Sequence, residues 1–197
     1  GKDSSVLNHI VRQVDSSIPI LFNNTSNESA DTYKLIKSLD NVRILNPEEG
    51  FWQYLKNKNF IPSRMARSCC GIYKHNLTSD NLEHDEKYLL FMGMRNAESN
   101  NRSGYETIHN FDYYPEDWTC GLAIRKWKEL DIWLYVFLRN IEINNIYRMG
   151  YSRCGCVVCG YRSNLEEMIT EYNFPKTIDR FNVCKKVTFL HTRGGLD

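Results

Sequence analysis

Two pairs of cysteines carry the most distinctive chemistry in this chain. Cys69 is followed directly by Cys70, whereas two valines separate Cys156 from Cys159. Thiolates are the soft ligands that bind iron–sulfur clusters and zinc, and four of them complete either kind of site. Because a long stretch of chain separates the two pairs, the fold must bring them together if they bind one metal centre.

Spacing alone leaves three interpretations of these cysteines open. An iron–sulfur cluster and a structural zinc ion both use four thiolates, although adjacent cysteines are awkward ligands for one zinc ion. The third interpretation is four buried free thiols, and two tight pairs argue against it. Cys154 lies near enough to Cys156 to replace it as a ligand or to act as a redox thiol. Cys120 and Cys184 are typical of plain core thiols.

The start of the chain, Gly1-Lys2-Asp3-Ser4-Ser5, has the composition of a phosphate-binding turn. A glycine turn that leads into a helix presents backbone N–H groups to phosphate oxygens. Ser4 and Ser5 could add hydroxyl donors, and Lys2 could add charge. Asp3 could position a magnesium ion or brace the turn. The alternative is an ordinary helix N-terminus capped by Asp3 or Ser4.

Three arginines could clamp phosphate or sulfate oxygens through bidentate hydrogen bonds. Arg95 is the best candidate because it directly follows a predicted strand, and Arg125 is the second. Arg102 fits an ordinary exposed position equally well.

Positive residues also flank the first cysteine pair, at Arg64, Arg67 and Lys74. Positive charge there would lower the pKa of a thiol and offset the negative charge of a cluster. Ordinary surface exposure is the alternative for all three.

Composition bounds the class of protein. Hydrophobic residues make up 42% of the chain and charged residues 25%, with a net charge of +1, which is ordinary for a soluble globular protein. Bulk charge therefore gives no evidence for binding to nucleic acid or membranes, and no apolar run approaches the ~20 residues that span a bilayer. Seven cysteines without secretory features favour reduced thiols and a cytoplasmic location. The chain lacks an initiator methionine and starts inside a motif, which predicts a truncated N-terminus.

The candidate site residues must be positioned by secondary structure, and the sequence predicts strands that alternate with helices. Short apolar runs predict strands at 18–22, 42–45 and 88–94. This alternation predicts an open, mostly parallel α/β sheet flanked by helices, in a single domain over 1–197. Ligands would then bind at the carboxyl ends of the strands.

Helix starts are predicted from capping residues. Ser29 or Asp31 begins one helix, Pro47 another, and Ser163 or Asn164 a last one. The clearest amphipathic helix spans 125–140. The apolar stripe of that helix predicts a core-facing surface and is formed by Trp127, Leu130, Trp133, Leu134, Phe137 and Leu138.

Five motifs, taken in order, resemble the phosphoadenosine phosphosulfate (PAPS) and adenylyl sulfate (APS) reductase family. The first, Gly1-Lys2-Asp3-Ser4, is similar to the end of a Ser-Gly-Gly-x-Asp-Ser loop, and the second is Asn23-Asn24-Thr25-Ser26 with Asp31-Thr32-Tyr33. The third is the Gly-x-Arg-x-x-(Gln/Glu)-Ser turn of Gly93 to Ser99. The last two are the Trp-x-x-x-Asp-x-Trp pattern of Trp127, Asp131 and Trp133, and the stretch from Tyr147 to Cys159. The resemblance covers nearly the whole chain. It implies the Rossmann-like adenine nucleotide α-hydrolase fold, with the first strand and the start of the phosphate loop missing.

The resemblance also implies a function. Cys69, Cys70, Cys156 and Cys159 would bind a [4Fe–4S] cluster, as in the APS-using branch. The phosphate and nucleotide would contact Gly1 to Ser5, Asn24, Thr25, Arg95 and Arg125. The implied reaction reduces an adenosine sulfonucleotide to sulfite and an adenosine nucleotide, with thioredoxin or glutaredoxin as the electron donor.

The C-terminus departs from the family pattern. Reductases of this family carry a Glu-Cys-Gly-(Ile/Leu)-His segment whose cysteine attacks sulfur, whereas this chain ends in His-Thr-Arg-Gly-Gly-Leu-Asp. Either the C-terminus is truncated or the chemistry differs. Cys184 is the one late cysteine that could replace the nucleophile, although its Val-Cys-Lys-Lys setting does not match.

Two alternatives to the reductase follow from this departure. The first is an ATP-dependent sulfurtransferase that modifies DNA or RNA, with magnesium as a cofactor for ATP. Nucleic acid is an expected partner only under that alternative. The second is a non-catalytic module that binds a nucleotide or a cluster.

Overall fold

Short strands and longer helices follow one another in the computed structural model, which describes residues 1–193. Residues 194–197, part of the C-terminal departure, lie outside the described residues. The α-helices are α1 Lys2–Val14, α2 Ala30–Lys37, α3 Phe51–Asn57, α4 Ser68–Cys70, α5 Leu77–Asp80, α6 Asn100–Ser103, α7 Glu129–Leu138, α8 Asn164–Asn173 and α9 Pro175–Arg193. The strands are β1 Ile20–Asn23, β2 Val42–Leu45, β3 Leu89–Phe91, β4 Ile108–His109 and β5 Thr119–Gly121.

The strands form two sheets in which parallel pairing dominates. β1 and β2 are parallel, with Ile20 opposite Val42 and Asn23 opposite Leu45. In the second sheet β5 lies in the middle, parallel to β3 and antiparallel to β4. The predicted class, a mostly parallel α/β sheet flanked by helices, is confirmed.

Two predicted helix starts are confirmed and a third is wrong. Ser163 caps α8, since its side chain accepts a hydrogen bond from the backbone N–H of Glu166. Ser29 caps α2, since its side chain accepts a hydrogen bond from the backbone N–H of Thr32. The helix predicted from Pro47 instead begins at Phe51, after Gly50. The N–H of Phe51 donates to Ser26 Oγ at 2.8 Å, and the Phe51 side chain is buried. A contact from a distant part of the chain therefore sets this helix start, and local capping residues do not.

The apolar stripe predicted to face the core on α7 is largely exposed. Ile132 and Val136 are buried against Val6 and Leu7 of α1. The exposed members of the stripe are Leu130, Leu134, Phe137 and Leu138, with 49–80% of each side chain accessible. Only a narrow face of α7 packs on α1, and the apolar residues around it exceed what that contact can cover.

Helix α9 packs across the segment that carries the first cysteine pair. Phe181 and Cys184 of α9 lie in one apolar cluster with Phe51, Tyr54 and Tyr73. Within residues 1–193, no helix combines the length and apolar character needed to cross a bilayer.

Candidate functional site

The two cysteine pairs meet in space. Cys69, Cys70, Cys156 and Cys159 all line one pocket, called here the cysteine pocket. Its other lining residues are Thr25, Phe51, Pro62, Ser63, Ala66, Arg67, Tyr73, Lys74, Val158, Gly160 and Tyr161. Carboxylates are absent from this lining, whereas Arg67 and Lys74 supply two cations.

The first pair lies where an α-helix widens. Helix α4 ends at Cys70 and continues as a π-helix over Gly71–Asn76 before α5 begins. Such π segments are rare and occur mainly at functional sites. The wider helix follows directly after the adjacent cysteines, which both reach the same pocket.

The second pair lies on a turn that is held by Asn27 and Arg162. The Asn27 side chain donates to the Val158 carbonyl at 2.8 Å and accepts from the Val158 N–H at 3.1 Å. The buried guanidinium of Arg162 donates to the carbonyls of Val157 and Cys156. These bonds fix the backbone of the Cys-x-x-Cys turn in place.

A glycine allows another segment to cover this turn. A Cβ atom on Gly160 would lie 2.4 Å from Cα of Ser63, closer than real contacts allow. The backbone of Ser63 therefore packs directly on the residue after Cys159. Only glycine permits so close an approach.

Charge tunes the thiols of the pocket. The hydrogen bond from Cys69, with the positive charges of Lys74 and Arg67, lowers the pKa of Cys70 to about 6. The same hydrogen bond raises the pKa of Cys69. Burial raises the pKa of Cys156 and Cys159, and Lys74 opposes both shifts. The Cys156 thiolate in turn raises the pKa of Lys74.

The spacing of the side chains does not suit a single ion. Across the described part of the chain, no three His, Cys, Asp or Glu side chains converge closely enough to bind one metal ion. A tetrahedral zinc ion needs every sulfur about 2.3 Å from one point. A cluster spreads its thiolates over several iron atoms, so it accepts ligands that stand further apart.

The predicted phosphate turn forms the start of α1. Gly1 is the residue before the helix, and the N–H of Ser5 donates to its carbonyl at 2.9 Å. The N–H of Lys2 donates to the hydroxyl of Tyr147 at 2.9 Å. A Cβ on Gly1 would lie 3.4 Å from Cβ of Cys154, so the turn adjoins the segment that leads to Cys156.

Lys2 and Arg95 share two carboxylates. Arg95 Nε lies 2.5 Å from Asp3 Oδ1, and its Nη2 lies 2.7 Å from Glu129 Oε2. Lys2 Nζ lies 3.4 Å from Asp3 and 3.3 Å from Glu129. Lys2 and Arg95 are 3% and 4% exposed. We call these four residues the ion network; it ties the phosphate turn to the arginine turn and to α7.

The other predicted arginines lie beside this network. Arg125 donates from Nη1 to the Tyr105 carbonyl, and its Nε is buried without a hydrogen-bond partner. The backbone carbonyl of Arg125 accepts from the N–H of Asn96 at 2.8 Å. Arg102 pairs with Glu98 on the surface.

Thr25 joins the predicted nucleotide segment to the cysteine pocket. Its hydroxyl donates to Glu28 Oε1 at 2.6 Å and lies 3.7 Å from Cys156 Sγ. Asn24 Oδ1 accepts from the hydroxyl of Tyr33 at 2.7 Å. Burial and the nearby Glu28 carboxylate raise the pKa of Tyr33 to about 12.

The remaining cysteines differ in accessibility. Cys184, the weak candidate for a nucleophile, is 3% exposed inside the apolar cluster of α9, which does not support that role. Cys120 is fully buried, and burial raises its pKa to about 11. Cys154 is partly exposed, with its sulfur 3.8 Å from Thr32 Oγ1.

Two residues of the site were missed from sequence. Glu129 completes the ion network, and its one sequence signal is an acid in the first turn of a helix. Glu28 bridges Thr25 and Tyr33. It lies between two quoted motif segments, and no local pattern marks it.

Comparisons with known proteins agree on one family. The family model described as phosphoadenosine phosphosulfate reductase domain matches residues 1–161. The chain is 28% identical to an uncharacterized protein of Methanocaldococcus jannaschii, over 98% of this chain and 42% of that protein. It is 27% identical to the adenosine 5'-phosphosulfate reductase of Shouchella clausii, over 81% of this chain and 67% of that enzyme.

A solved structure shares the fold. The crystal structure of PAPS reductase from Candida auris, in its phosphate complex, superposes with a TM-score of 0.58 at 13% identity. The match covers 79% of this chain and 77% of that one. The chain spans less than half the length of the archaeal relative.

Proposed function

The chain belongs to the phosphoadenosine phosphosulfate reductase domain family, and we propose that it reduces an adenosine sulfonucleotide to sulfite and an adenosine nucleotide. Under this proposal Cys69, Cys70, Cys156 and Cys159 bind a [4Fe–4S] cluster. The observation that carries the proposal is that these four cysteines, far apart in sequence, line one pocket. The start of α1 lies beside Cys154, two residues before Cys156, and a family-like polar segment reaches Cys156 through Thr25.

The donor set supports a cluster. Four thiols with two cations and no carboxylate in the lining suit an anionic, sulfur-ligated group. When bound, such a cluster supplies a redox-active, electrically charged group beside the substrate site.

The residues of the turn would bind phosphate through the backbone. Lys2 and Arg95 already share Asp3 and Glu129, so they hold the turn in place more than they offer free charge. The N–H groups at the start of α1 remain the natural donors to phosphate oxygens. Arg125 lies next in this region and donates from Nη1 to the Tyr105 carbonyl, while its unpaired Nε is buried.

The proposed reaction is a two-electron reduction. A thiolate attacks the sulfonate sulfur, an S–S bond forms, and the S–O bond breaks so that the nucleotide leaves with its phosphate. A second thiol then attacks the first sulfur, which releases sulfite and leaves a disulfide. Thioredoxin or glutaredoxin is the proposed source of these electrons.

One observation favours the sulfurtransferase as a second candidate. Cys184, the weak candidate for the nucleophile of the reductase, is buried in the apolar cluster of α9 and so lends that reaction no support. A sulfurtransferase of this fold would instead bind ATP with magnesium and activate DNA or RNA.

Reconstitution and a binding titration test the proposal. The protein is reconstituted anaerobically with iron and sulfide and titrated with APS, PAPS and ATP–magnesium. Preferential binding of APS or PAPS supports the reductase, preferential binding of ATP supports the sulfurtransferase, and binding of none leaves a module without nucleotide chemistry.

Cysteine variants test the ligand assignment separately. Cys69→Ser and Cys159→Ser are expected to lose most of the bound iron and sulfide, because each removes one of four ligands. Cys120→Ser, at a buried position outside the pocket, is the control and should keep its iron. Full iron content in either ligand variant would contradict the assignment.

A further inference from the structure

One short segment contacts the elements that carry both cysteine pairs. It begins with the last residue of β1 and covers residues 23–28, which we call the frame segment. Its first residue, Asn23, lies opposite Leu45 in the sheet, and the N–H of Asn24 donates to the Leu45 carbonyl at 2.9 Å. The frame segment therefore starts from a fixed point at the carboxyl end of a parallel strand pair.

Asn23 contacts the π-helix that follows the first cysteine pair. Its side-chain amide donates to the Lys74 carbonyl at 2.7 Å and to Thr78 Oγ1 at 2.8 Å. Lys74 lies in the π segment Gly71–Asn76, and Thr78 lies in α5 after it. A side chain that bonds into the backbone ladder of a helix is an identified cause of local distortion. Asn23 thus ties the widened turn behind the first pair to the end of β1.

Asn27, near the other end of the frame segment, contacts the second pair. Besides its two side-chain bonds to Val158, its carbonyl accepts from the Val157 N–H at 2.6 Å. Val157 and Val158 are the two residues between Cys156 and Cys159. Asn27 is 3% exposed, so the loss of its amide would leave buried backbone groups without partners. Each pair is therefore held by an asparagine of the same segment.

The frame segment is itself closed by internal hydrogen bonds. The Asn24 side chain accepts from the Ser26 N–H at 2.9 Å, and Ser26 takes the left-handed conformation with φ 55°. The Glu28 carboxylate accepts from the Thr25 hydroxyl at 2.6 Å and from the Asn27 N–H at 3.2 Å. These bonds restrict the backbone of the segment and so fix the distance between its two ends.

A third wall of the cysteine pocket is attached to the same segment. Ser26 Oγ accepts from the N–H of Phe51, and Phe51 lines the pocket. The position of α3 beside the pocket therefore depends on the frame segment as well.

We propose that Asn23 and Asn27 are positioning residues, through which the frame segment sets the separation of the two cysteine pairs and so allows all four thiolates to bind one group. The part that concerns the bound group rests on the proposed function. Each asparagine acts through backbone atoms of the element that carries a pair, and neither is a ligand. Ligands that are fixed in place by such outer contacts bind their metal centre more tightly.

Ordinary loop stabilisation is the alternative role for these asparagines. Each would then only close the connection between β1 and α2, and its loss would weaken the whole fold without selecting a cysteine pair. The two roles differ in which thiols become reactive when one asparagine is removed.

Alkylation before reconstitution separates the two cysteine pairs. The full chain is pulsed with iodoacetamide, and the modified cysteines are identified by mass spectrometry. In Asn27→Ala, Cys156 and Cys159 are expected to react roughly fivefold faster, because the turn that carries them loses two hydrogen bonds and opens more often. Cys69 and Cys70 should react at their wild-type rates.

Asn23→Ala should give the opposite pattern. Cys69 and Cys70 are expected to react roughly threefold faster, because the π-helix loses its link to β1. Each variant is the control of the other, since general destabilisation would expose all four thiols. In a folded variant, any pattern other than faster reaction confined to the expected pair overturns the inference. If the buried substitution Asn27→Ala does not fold, Asn23→Ala decides alone.

Iron binding connects the positioning role to the proposed function. After reconstitution, both variants are expected to retain less than about half of the wild-type iron and sulfide. Asn173→Ala removes an amide-to-carbonyl bond of 2.8 Å at the end of α8 and is the matched control, which should keep its iron. Full iron in either folded variant, beside a loaded wild-type protein, overturns only the inference. A wild-type protein that binds no iron and sulfide overturns the proposed cluster, and the alkylation pattern then decides the positioning role by itself.

Discussion

Buried charge at the start of α1 is compensated residue by residue. Arg95 is almost fully buried and bonds both Asp3 and Glu129. Removing Arg95 would take the closest partner from the largely buried Asp3 carboxylate, which costs more than the loss of a surface ion pair. The stability of the turn at the start of α1 therefore depends on Arg95, which lies far away in sequence.

Replacing Arg95 should test this sensitivity. Arg95→Ala is expected to lower the free energy of unfolding by about 3 kcal/mol, because Asp3 loses its closest partner. Urea denaturation measures the change. Arg102→Ala is the control, since its pair with Glu98 is partly exposed and should contribute less than about 1 kcal/mol. Similar losses in both variants would argue against a structural ion network.

Glu166 holds the start of α8 against the cysteine-bearing segment and predicts a pH dependence. Its carboxylate accepts hydrogen bonds from Ser152 and Ser163. Burial acts to raise the pKa of Glu166, but these bonds and the charge of Arg162 hold it below its ordinary value. A lowered pKa in the folded state stabilises the fold above the ordinary pKa, and that stability is lost as the pH falls through the folded value.

Glu166→Gln should therefore be less stable than the wild-type protein at pH 7, by about 1 kcal/mol. The difference should shrink as the pH is lowered from 5 towards 3. Thermal unfolding of both proteins across this range is the measurement. Glu167→Gln, at an exposed neighbouring position, should show no such trend. A constant difference at every pH would contradict the assigned role of the carboxylate.

Among the elements, the turn after Cys159 depends most on a single backbone position. Gly160→Ala would place a methyl group against the backbone of Ser63, which cannot move aside as a side chain could. A stability loss of about 2 kcal/mol is expected from this overpacking, together with a lower iron content after reconstitution. Unfolding curves and iron analysis measure the two effects.

Gly155 provides the control for that substitution. A Cβ at Gly155 would meet no atom within 4 Å, although this residue also lies between cysteines of the same segment. Gly155→Ala should keep both stability and iron. If the two variants behave alike, close backbone packing at Gly160 is not what shapes the pocket.

The elements also show what a sequence pattern can and cannot predict. The strand at 42–45 and the Ser29 cap were predictable because both depend on adjacent residues. The start of α3 was not, because Ser26 fixes it from another part of the chain. The stripe on α7 was misjudged because periodicity reports how apolar a face is and not whether anything covers it.

The same division holds for the site. Cysteine spacing predicted which thiols would be candidates, and the structure brings them to one pocket. The pairing of Arg95 with Glu129 had no sequence signal, because it depends on how α7 packs against α1. Long-range electrostatic partners follow from tertiary packing, and no local pattern in the sequence marks them.

On the scale of the whole molecule, the C-terminal helices pack against residues that line the cysteine pocket. The family model matches residues 1–161, whereas α8 and α9 follow that range. Phe181 of α9 is buried against Phe51 and Tyr73, both of which line the pocket. The C-terminal helices are therefore part of the structure that shapes the site.

Truncating Phe181 should reveal this coupling. Phe181→Ala is expected to lower the free energy of unfolding by about 3 kcal/mol, because it leaves a cavity in the apolar cluster. It should also reduce iron retention, since the wall formed by Tyr73 loses its support. Val183→Ala, at a 58% exposed position on the same helix, is the control. Urea denaturation measures the stability of both variants, and iron analysis measures their iron content. An unchanged iron content in Phe181→Ala would show that α9 does not support the pocket.

The division of the strands between two sheets has a practical consequence. Among the described residues, β1 and β3 are each paired on one side only, and Leu89 and Phe91 of β3 are 52% and 39% exposed. Apolar strands with an unpaired edge are templates for pairing with other chains. Samples of this polypeptide should therefore self-associate into insoluble, strand-rich material as concentration rises. Lysine placed on an edge, for instance Leu89→Lys, should delay that loss, which turbidity during concentration would record.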